Sequence, residues 1–160
     1  MQATRNNCYS LLHQLLDEEK DVSLLRFIKH EQGDVKNLIK KIADASGTAA
    51  KLLEEFARRD PLIRLDELKL PPGETATRDA MGSTKQKELL AQSGDEFELS
   101  LLLTQTEALG YASHLAKVAS QYEPQPERAH ALLCIGRDMQ ELHQEVFQLL
   151  LSKTKSSATK

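Results

Sequence analysis

Residues 35–56 read VKNLIKKIADASGTAAKLLEEF, and their apolar side chains recur at alternating spacings of three and four. The recurring residues are Val35, Leu38, Ile42, Ala45, Ala49, Leu52 and Phe56. Residues three and four apart lie on one side of an α-helix. The stretch therefore predicts a helix that buries one apolar stripe against neighbouring helices.

Two later stretches repeat this spacing. One contains Phe97, Leu101, Thr104, Ala108, Tyr111, Leu115 and Val118, and the other contains Leu132, Ile135, Met139, Leu142, Val146 and Leu149. Together with a leucine-rich N-terminal region, these stripes predict an all-α fold. We expect an antiparallel four-helix bundle of ferritin-like topology.

The five prolines mark the breaks between the periodic segments, because proline disrupts a helix interior. The predicted helices are 4–31, 34–59, 95–121 and 126–152. The acidic residues 17–21 are interpreted as a bend within the first helix. Residues 61–93 are the least regular part of the chain, with a short helix at 84–91, and an up-down-up-down order follows if they do not cross the bundle. We expect one domain over residues 1–152 and a disordered tail at 153–160.

Composition limits the function classes. Hydrophobic residues make up 40% of the 160 residues, aromatic residues only 4%, and Trp is absent, so the core should be mainly aliphatic. The net charge of −3 argues against nucleic acid as a partner. Cys8 and Cys134 are not closely spaced, which favours reduced thiols. No segment has the ~20 apolar residues that span a membrane, so we expect no membrane partner and a soluble, cytoplasmic protein. A chain whose export signal had been removed would read the same.

One segment resembles a known family. Leu70-Pro71-Pro72, a short helix, Ser93-Gly94 and then Phe97-Glu98 are similar to the pattern of a family of bacterial ferritin-like four-helix bundles of unknown function. The resemblance covers about a third of the chain. It implies the bundle fold, but the family usually has a His where this chain has Glu107. The resemblance therefore implies no activity, since functional sites do not travel with a fold.

Metal binding is one hypothesis for a site. A ferritin-like dinuclear site needs two Glu-x-x-His pairs, and this chain has one, Glu127 and His130. His130 and Cys134 are four apart on one helix face, and antiparallel packing of the last two helices would bring His114 near them. These nitrogen and sulphur donors suit zinc, and a carboxylate–histidine set suits iron.

A second hypothesis is phosphotransfer. His114 with Lys117 three residues later resembles the phosphate-accepting site of histidine phosphotransfer domains, although Val118 stands where that family usually has Gly. Glu107, Tyr111 and His114 also share a helix face and could form a small polar network.

Folding explains most of these patterns without a catalytic site. The sequence therefore favours a non-enzymatic bundle that acts through protein–protein contacts or self-association as a homodimer. Leu102, Leu103 and Leu109, beside the third-helix stripe, suggest apolar surface left over for a second copy. The alternatives are the metal-binding bundle and the phosphotransfer module.

Overall fold

The structure, a computed structural model, describes residues 1–21 and 33–157, and the regular secondary structure in these ranges is α-helical. The helices are α1 (Gln2–Asp21), α2 (Gly33–Arg59), α3 (Pro72–Ala91), α4 (Gly94–Tyr122) and α5 (Pro126–Ser157). The all-α prediction is confirmed. Within the described ranges, none of these helices carries an apolar stretch long enough to traverse a bilayer.

The N-terminal helix is present where it was predicted, as far as the described residues extend. α1 begins at Gln2 and stays helical through the acidic residues 17–21. The remainder of the predicted 4–31 segment, from residue 22 on, lies outside the described residues.

The C-terminal helix is longer than predicted. α5 continues to Ser157, so residues 153–157 are helical where the composition suggested a disordered tail. Lys153 in this last part lies 2.7 Å from a carboxylate oxygen of Glu98 and 3.8 Å from one of Asp34. These charges on α4 and α2 hold the helix end, and a composition argument has no means of finding them.

α3 is also longer than the predicted helix at 84–91, since it begins at Pro72. Proline suits the first helical position because the N–H that it lacks has no helical partner there. Glu74 in the first turn pairs with Arg78 at 2.7 Å, which supports the next turn. In this fully described helix Leu89 is the buried residue. With no apolar stripe to bury, the helix left no periodic signal in the sequence.

The stripes predicted for α2 and α5 are buried or packed against the core. The buried face of α4 agrees with the predicted one at Phe97, Leu101 and Leu115 and differs from it elsewhere. Tyr111 and Val118 are exposed, and other residues take their place: Leu102, Gln105, Leu109, Ala112, Ala116 and Ala119. Gln105 lies near the middle of this face, and a polar residue there hides the correct phase of the pattern.

Four helices share the core. α4 contacts α5 and α1, while α2 contacts α1 and α5. The largest fully buried side chains are mostly aliphatic, as the composition predicted, with Tyr9 and Phe97 as the aromatic exceptions. Among the described helices, α4 is the one against which α3 packs. Apart from Leu89, which joins the core, α3 lies on the outside of the structure, where Arg78 reaches Tyr111 and Lys85 reaches Glu107.

The carboxylate of Glu123 connects the elements at one end of the structure, and its side chain has no exposed surface. One oxygen accepts a hydrogen bond from the hydroxyl of Tyr9 at 2.8 Å. The other accepts from the Arg128 guanidinium at 2.8 Å and from the backbone N–H of Gln125 at 3.0 Å. Arg128 also donates to Asp60 at 2.9 Å. Burial is the largest cause of a raised pKa of the Tyr9 hydroxyl, and the hydrogen bond to the Glu123 carboxylate is the second largest. The hydroxyl therefore stays protonated and able to donate.

Three helical glycines, Gly47, Gly110 and Gly136, lie at helix–helix contacts, and Gly47 and Gly136 show the contrast most clearly. A Cβ added at Gly136 would lie 3.2 Å from the carbonyl oxygen of Ser113 and 3.3 Å from Lys117 Cγ. The Ser113 hydroxyl donates to the Gly136 carbonyl at 2.9 Å, so α4 and α5 approach closely there. At Gly47 an added Cβ would lie 3.6 Å from Lys20 Cβ, an ordinary van der Waals distance. The α1–α2 contact therefore has room for a methyl group, and the α4–α5 contact is tighter.

These two sites predict opposite outcomes for the same substitution. Gly47→Ala should stabilise the fold by up to about 1 kcal/mol, because an interior glycine costs that much in helix propensity. Gly136→Ala has the same propensity gain but must displace a backbone carbonyl, so we expect no gain or a loss. Urea denaturation followed by circular dichroism measures both, and equal gains would contradict the close α4–α5 contact.

Candidate functional site

The residues predicted to bind metal are divided between two surfaces. Cys134 Sγ lies 3.6 Å from His130 Nε2, so this pair forms as predicted. Cys134 lines a groove between α5 and α2. His114 is exposed on α4, and its Nδ1 lies 2.9 Å from the carbonyl oxygen of Gly110, to which a protonated Nδ1 donates. Glu127 is exposed in the first turn of α5. The structure therefore joins two of the four predicted ligands.

The two residues of the predicted phosphotransfer pair, His114 and Lys117, have different surroundings on α4. His114 is exposed, as a phosphate-accepting histidine must be. Lys117, however, donates to the side-chain oxygen of Gln140 on α5 at 2.8 Å. The lysine that would accompany the phosphate is thus engaged across the α4–α5 contact.

The predicted network of Glu107, Tyr111 and His114 is replaced by contacts with α3. Glu107 pairs with Lys85 of α3. The Arg78 guanidinium lies over the ring of Tyr111, 5.3 Å from its centroid, and donates to its hydroxyl at 3.2 Å. This cation–π contact holds the first half of α3 on α4.

A cleft of about 550 Å³ lies beside that contact. Its walls come from α1, α3, α4 and the segment before α3, and the lining residues include Leu11, Leu15, Leu68, Leu70, Arg78 and Tyr111. Arg78 is already paired with Glu74 at 2.7 Å. The cleft thus has an apolar wall and a polar group that is engaged within the chain.

A cluster that the sequence reasoning missed lies where α1 meets α2. His13 and Asp17 are one turn apart on α1, and Glu54 reaches them from α2. One ligand-type atom from each of the three lies within 4.8 Å of the other two, and His13 Nε2 is 3.0 Å from a Glu54 oxygen. Lys20 pairs with Asp17 at the edge of the cluster. Among the described residues, no other three histidine, cysteine or carboxylate side chains converge in this way.

Polar side chains from three helices are also buried in the core. Glu19 of α1, Ser46 of α2 and Gln105 of α4 are each at most 9% exposed, and the Gln105 side chain lies beside the Glu19 carboxyl group. One Glu19 oxygen, the Ser46 hydroxyl and the Gln105 amide oxygen have no hydrogen-bond partner in the described part of the chain. Burial raises the pKa of Glu19 to about 7, an effect that the neighbouring Gln105 side chain opposes and the nearby Glu18 charge reinforces.

The raised pKa of Glu19 predicts a pH-dependent stability. The folded value of about 7 exceeds the ordinary 4.5, so the neutral carboxyl contributes stability fully below 4.5 and loses it as the pH rises through 7. Glu19→Gln keeps the group neutral at every pH. Relative to wild type, this variant should gain stability from pH 4.5 to 7 and hold a constant advantage above 7.

Chemical denaturation of wild type and Glu19→Gln across this pH range measures the difference. Glu141→Gln, at an exposed position of α5, is the matched control and should show no such trend. A pH-independent difference between wild type and Glu19→Gln would contradict the raised pKa.

Comparisons of the chain with family models, curated proteins and solved structures gave no match. The ferritin-like resemblance therefore stays a prediction.

Proposed function

We propose that α1, α2, α4 and α5 form an antiparallel four-helix bundle of ferritin-like connectivity. The register of paired residues supports this for the two consecutive pairs of helices. Lys20 lies against Gly47 and His13 pairs with Glu54, so α1 and α2 are antiparallel. On α4 and α5, Gly110 lies against His143 and Ser113 bonds to Gly136, which again places rising residue numbers opposite falling ones.

The other two helix pairs, α1 with α4 and α2 with α5, are also antiparallel. Tyr9 in the first half of α1 bonds to Glu123 just after α4, and Glu19 near the end of α1 lies beside Gln105 in the first half of α4, so α1 and α4 are antiparallel. On α2 and α5, Lys153 pairs with Asp34, and Glu145 with Lys41. α2 and α4 then point in the same direction.

The connection between α2 and α4 supports one long crossover. Just after α2, the Leu62 carbonyl accepts a hydrogen bond from Arg5 at 2.7 Å, beside the start of α1. α4 begins at the opposite end, where Glu98 meets Lys153. Residues 60–93 therefore return along the bundle, so the condition for an up-down-up-down order is not met. A single crossover of this kind is typical of ferritin-like bundles.

For the function, the bundle acts by binding and not by catalysis, and its partner is a second copy of the same chain. One observation carries this proposal. Leu103 of α4 is 54% exposed, while Phe147 and Leu151 of α5 are 44% and 36% exposed. Leu102 and Leu109, which the sequence had suggested for the same role, are fully buried inside the chain. The surface available to a second copy is therefore centred on Leu103.

The helix register places these three side chains at one level. Leu103 lies two turns before Gly110 on α4, and Leu150 lies two turns after His143 on α5. Phe147 and Leu151 flank that level. We call Leu103, Phe147 and Leu151 the α4–α5 patch.

The surface around the α4–α5 patch carries few charges. The face of α4 that carries Leu103 contains Leu99, Thr106 and Gly110, together with the exposed carboxylate of Glu107, which pairs with Lys85 of α3. The face of α5 that carries Phe147 contains Gln140, Gln144 and Thr154. Because the Glu107 charge is already paired within the chain, two copies can meet at the patch around a two-fold axis without burying an unpaired charge, which suits a homodimer.

The proposal predicts a dimer that one charge can dissociate. Sedimentation equilibrium at micromolar concentration should give twice the 17.9 kDa chain mass for wild type. Phe147→Glu should give the monomer mass, because two buried carboxylates would face each other across the two-fold axis. Leu133→Glu is the matched control, since Leu133 lies on the same helix with almost the same exposure, 45%.

The control should remain dimeric. A monomeric wild type at every concentration would contradict the proposal. Equal behaviour of the two variants would place any interface elsewhere.

A further inference from the structure

We propose that His13, Asp17 and Glu54 bind one Zn²⁺ ion in the groove between α1 and α2, with water completing the coordination. The proposal is independent of the dimer, because it involves neither α4 nor α5. It also differs from the sequence-based hypothesis, whose pair of His130 and Cys134 lies on α5.

The donor set suits this ion. One imidazole nitrogen and two carboxylate oxygens are ligands that zinc accepts, and three protein ligands leave a position for water. The ligand atoms lie within 4.8 Å of one another, and the His13 nitrogen is 3.0 Å from the Glu54 oxygen. Zinc ligands lie about 2.0–2.2 Å from the metal, so such atoms need only small side-chain movements to surround one ion.

The helices hold these donors in place. His13 and Asp17 project from consecutive turns of α1 on the same face. Glu54 belongs to α2, which packs on α1 closely enough for Gly47 to lie against Lys20. The His13 side chain is 20% exposed, so the nitrogen is partly withdrawn from water yet open to an entering ion.

A cation of the chain itself already binds one of these ligands. The Lys20 ammonium pairs with the carboxylate of Asp17. The Lys20 side chain is 40% exposed, so the ammonium can turn into solvent when a metal ion arrives. It therefore competes with the metal for Asp17.

This competition gives the proposal a test in both directions. Removing a ligand must weaken binding, whereas removing Lys20 must strengthen it. The loss of an outer-shell partner alone weakens metal affinity by about 10–100-fold, so His13→Gln and Glu54→Gln should each cost at least about tenfold. Lys20→Met keeps the aliphatic stem and should tighten binding.

The experiment titrates full-length, metal-free protein with Co²⁺, whose visible absorption reports ligand type and geometry, and then displaces Co²⁺ with Zn²⁺. The expected result is one equivalent bound, without the intense charge-transfer absorption of a thiolate ligand. Cys134→Ser and His130→Ala are the controls and should leave the titration unchanged. Circular dichroism of each variant confirms that it is folded.

Three results would overturn the proposal. They are no saturable binding in wild type, undiminished binding in His13→Gln, and loss of binding in Cys134→Ser. In the last case the α5 pair would be the metal site. If His13→Gln lowers thermal stability equally with and without Zn²⁺, and binding is absent, the cluster is an interhelical ion pair.

Discussion

The buried Glu123 carboxylate is the interaction on which the arrangement of the helices depends. Its two oxygens accept hydrogen bonds from Tyr9, Arg128 and the Gln125 backbone, and Arg128 continues to Asp60. One side chain thereby fixes the start of α1, the end of α2 and the turn between α4 and α5. A buried carboxylate is costly unless its charge and lone pairs are satisfied, so these elements must meet in one arrangement. Alternatives that separate them leave a charge unpaired.

The remaining architecture can be understood from that fixed end. With α4 and α5 joined by a short link and α1 held on α4, the apolar faces close on one another along their length. Toward the other end the core contains Glu19, Ser46 and Gln105, whose buried polar atoms include some without a hydrogen-bond partner among residues 1–21 and 33–157. Charged groups outside the core, such as His13 with Glu54, lie in the grooves between helices. The two proposals use different surfaces of this arrangement, the α4–α5 patch for self-association and the α1–α2 groove for metal.

How much the sequence could predict depended on whether each feature is local. The predicted stripe on α5 was correct because every residue in it is apolar and all of them lie on one face of one helix. On α4, Gln105 interrupts the buried face, so periodicity favoured exposed Tyr111. α3 buries Leu89 and is stabilised by a proline start and local ion pairs, which leave no stripe. For the candidate sites, His13 and Asp17 have a helical ligand spacing, but Glu54 joins them through a contact between helices that no local pattern contains.

The free energy of unfolding of Glu123→Gln tests the role of the buried Glu123 carboxylate most directly. The amide removes the negative charge to which Arg128 and the Tyr9 hydroxyl donate. We therefore expect the free energy of unfolding to fall by about 3–5 kcal/mol, as for breaking a buried ion pair. Asp44→Asn is the matched control, since Asp44 pairs with Lys40 on the exposed surface, where such a pair is worth less than about 0.5 kcal/mol. A Glu123→Gln variant as stable as this control would contradict the dependence of the helix arrangement on the Glu123 carboxylate.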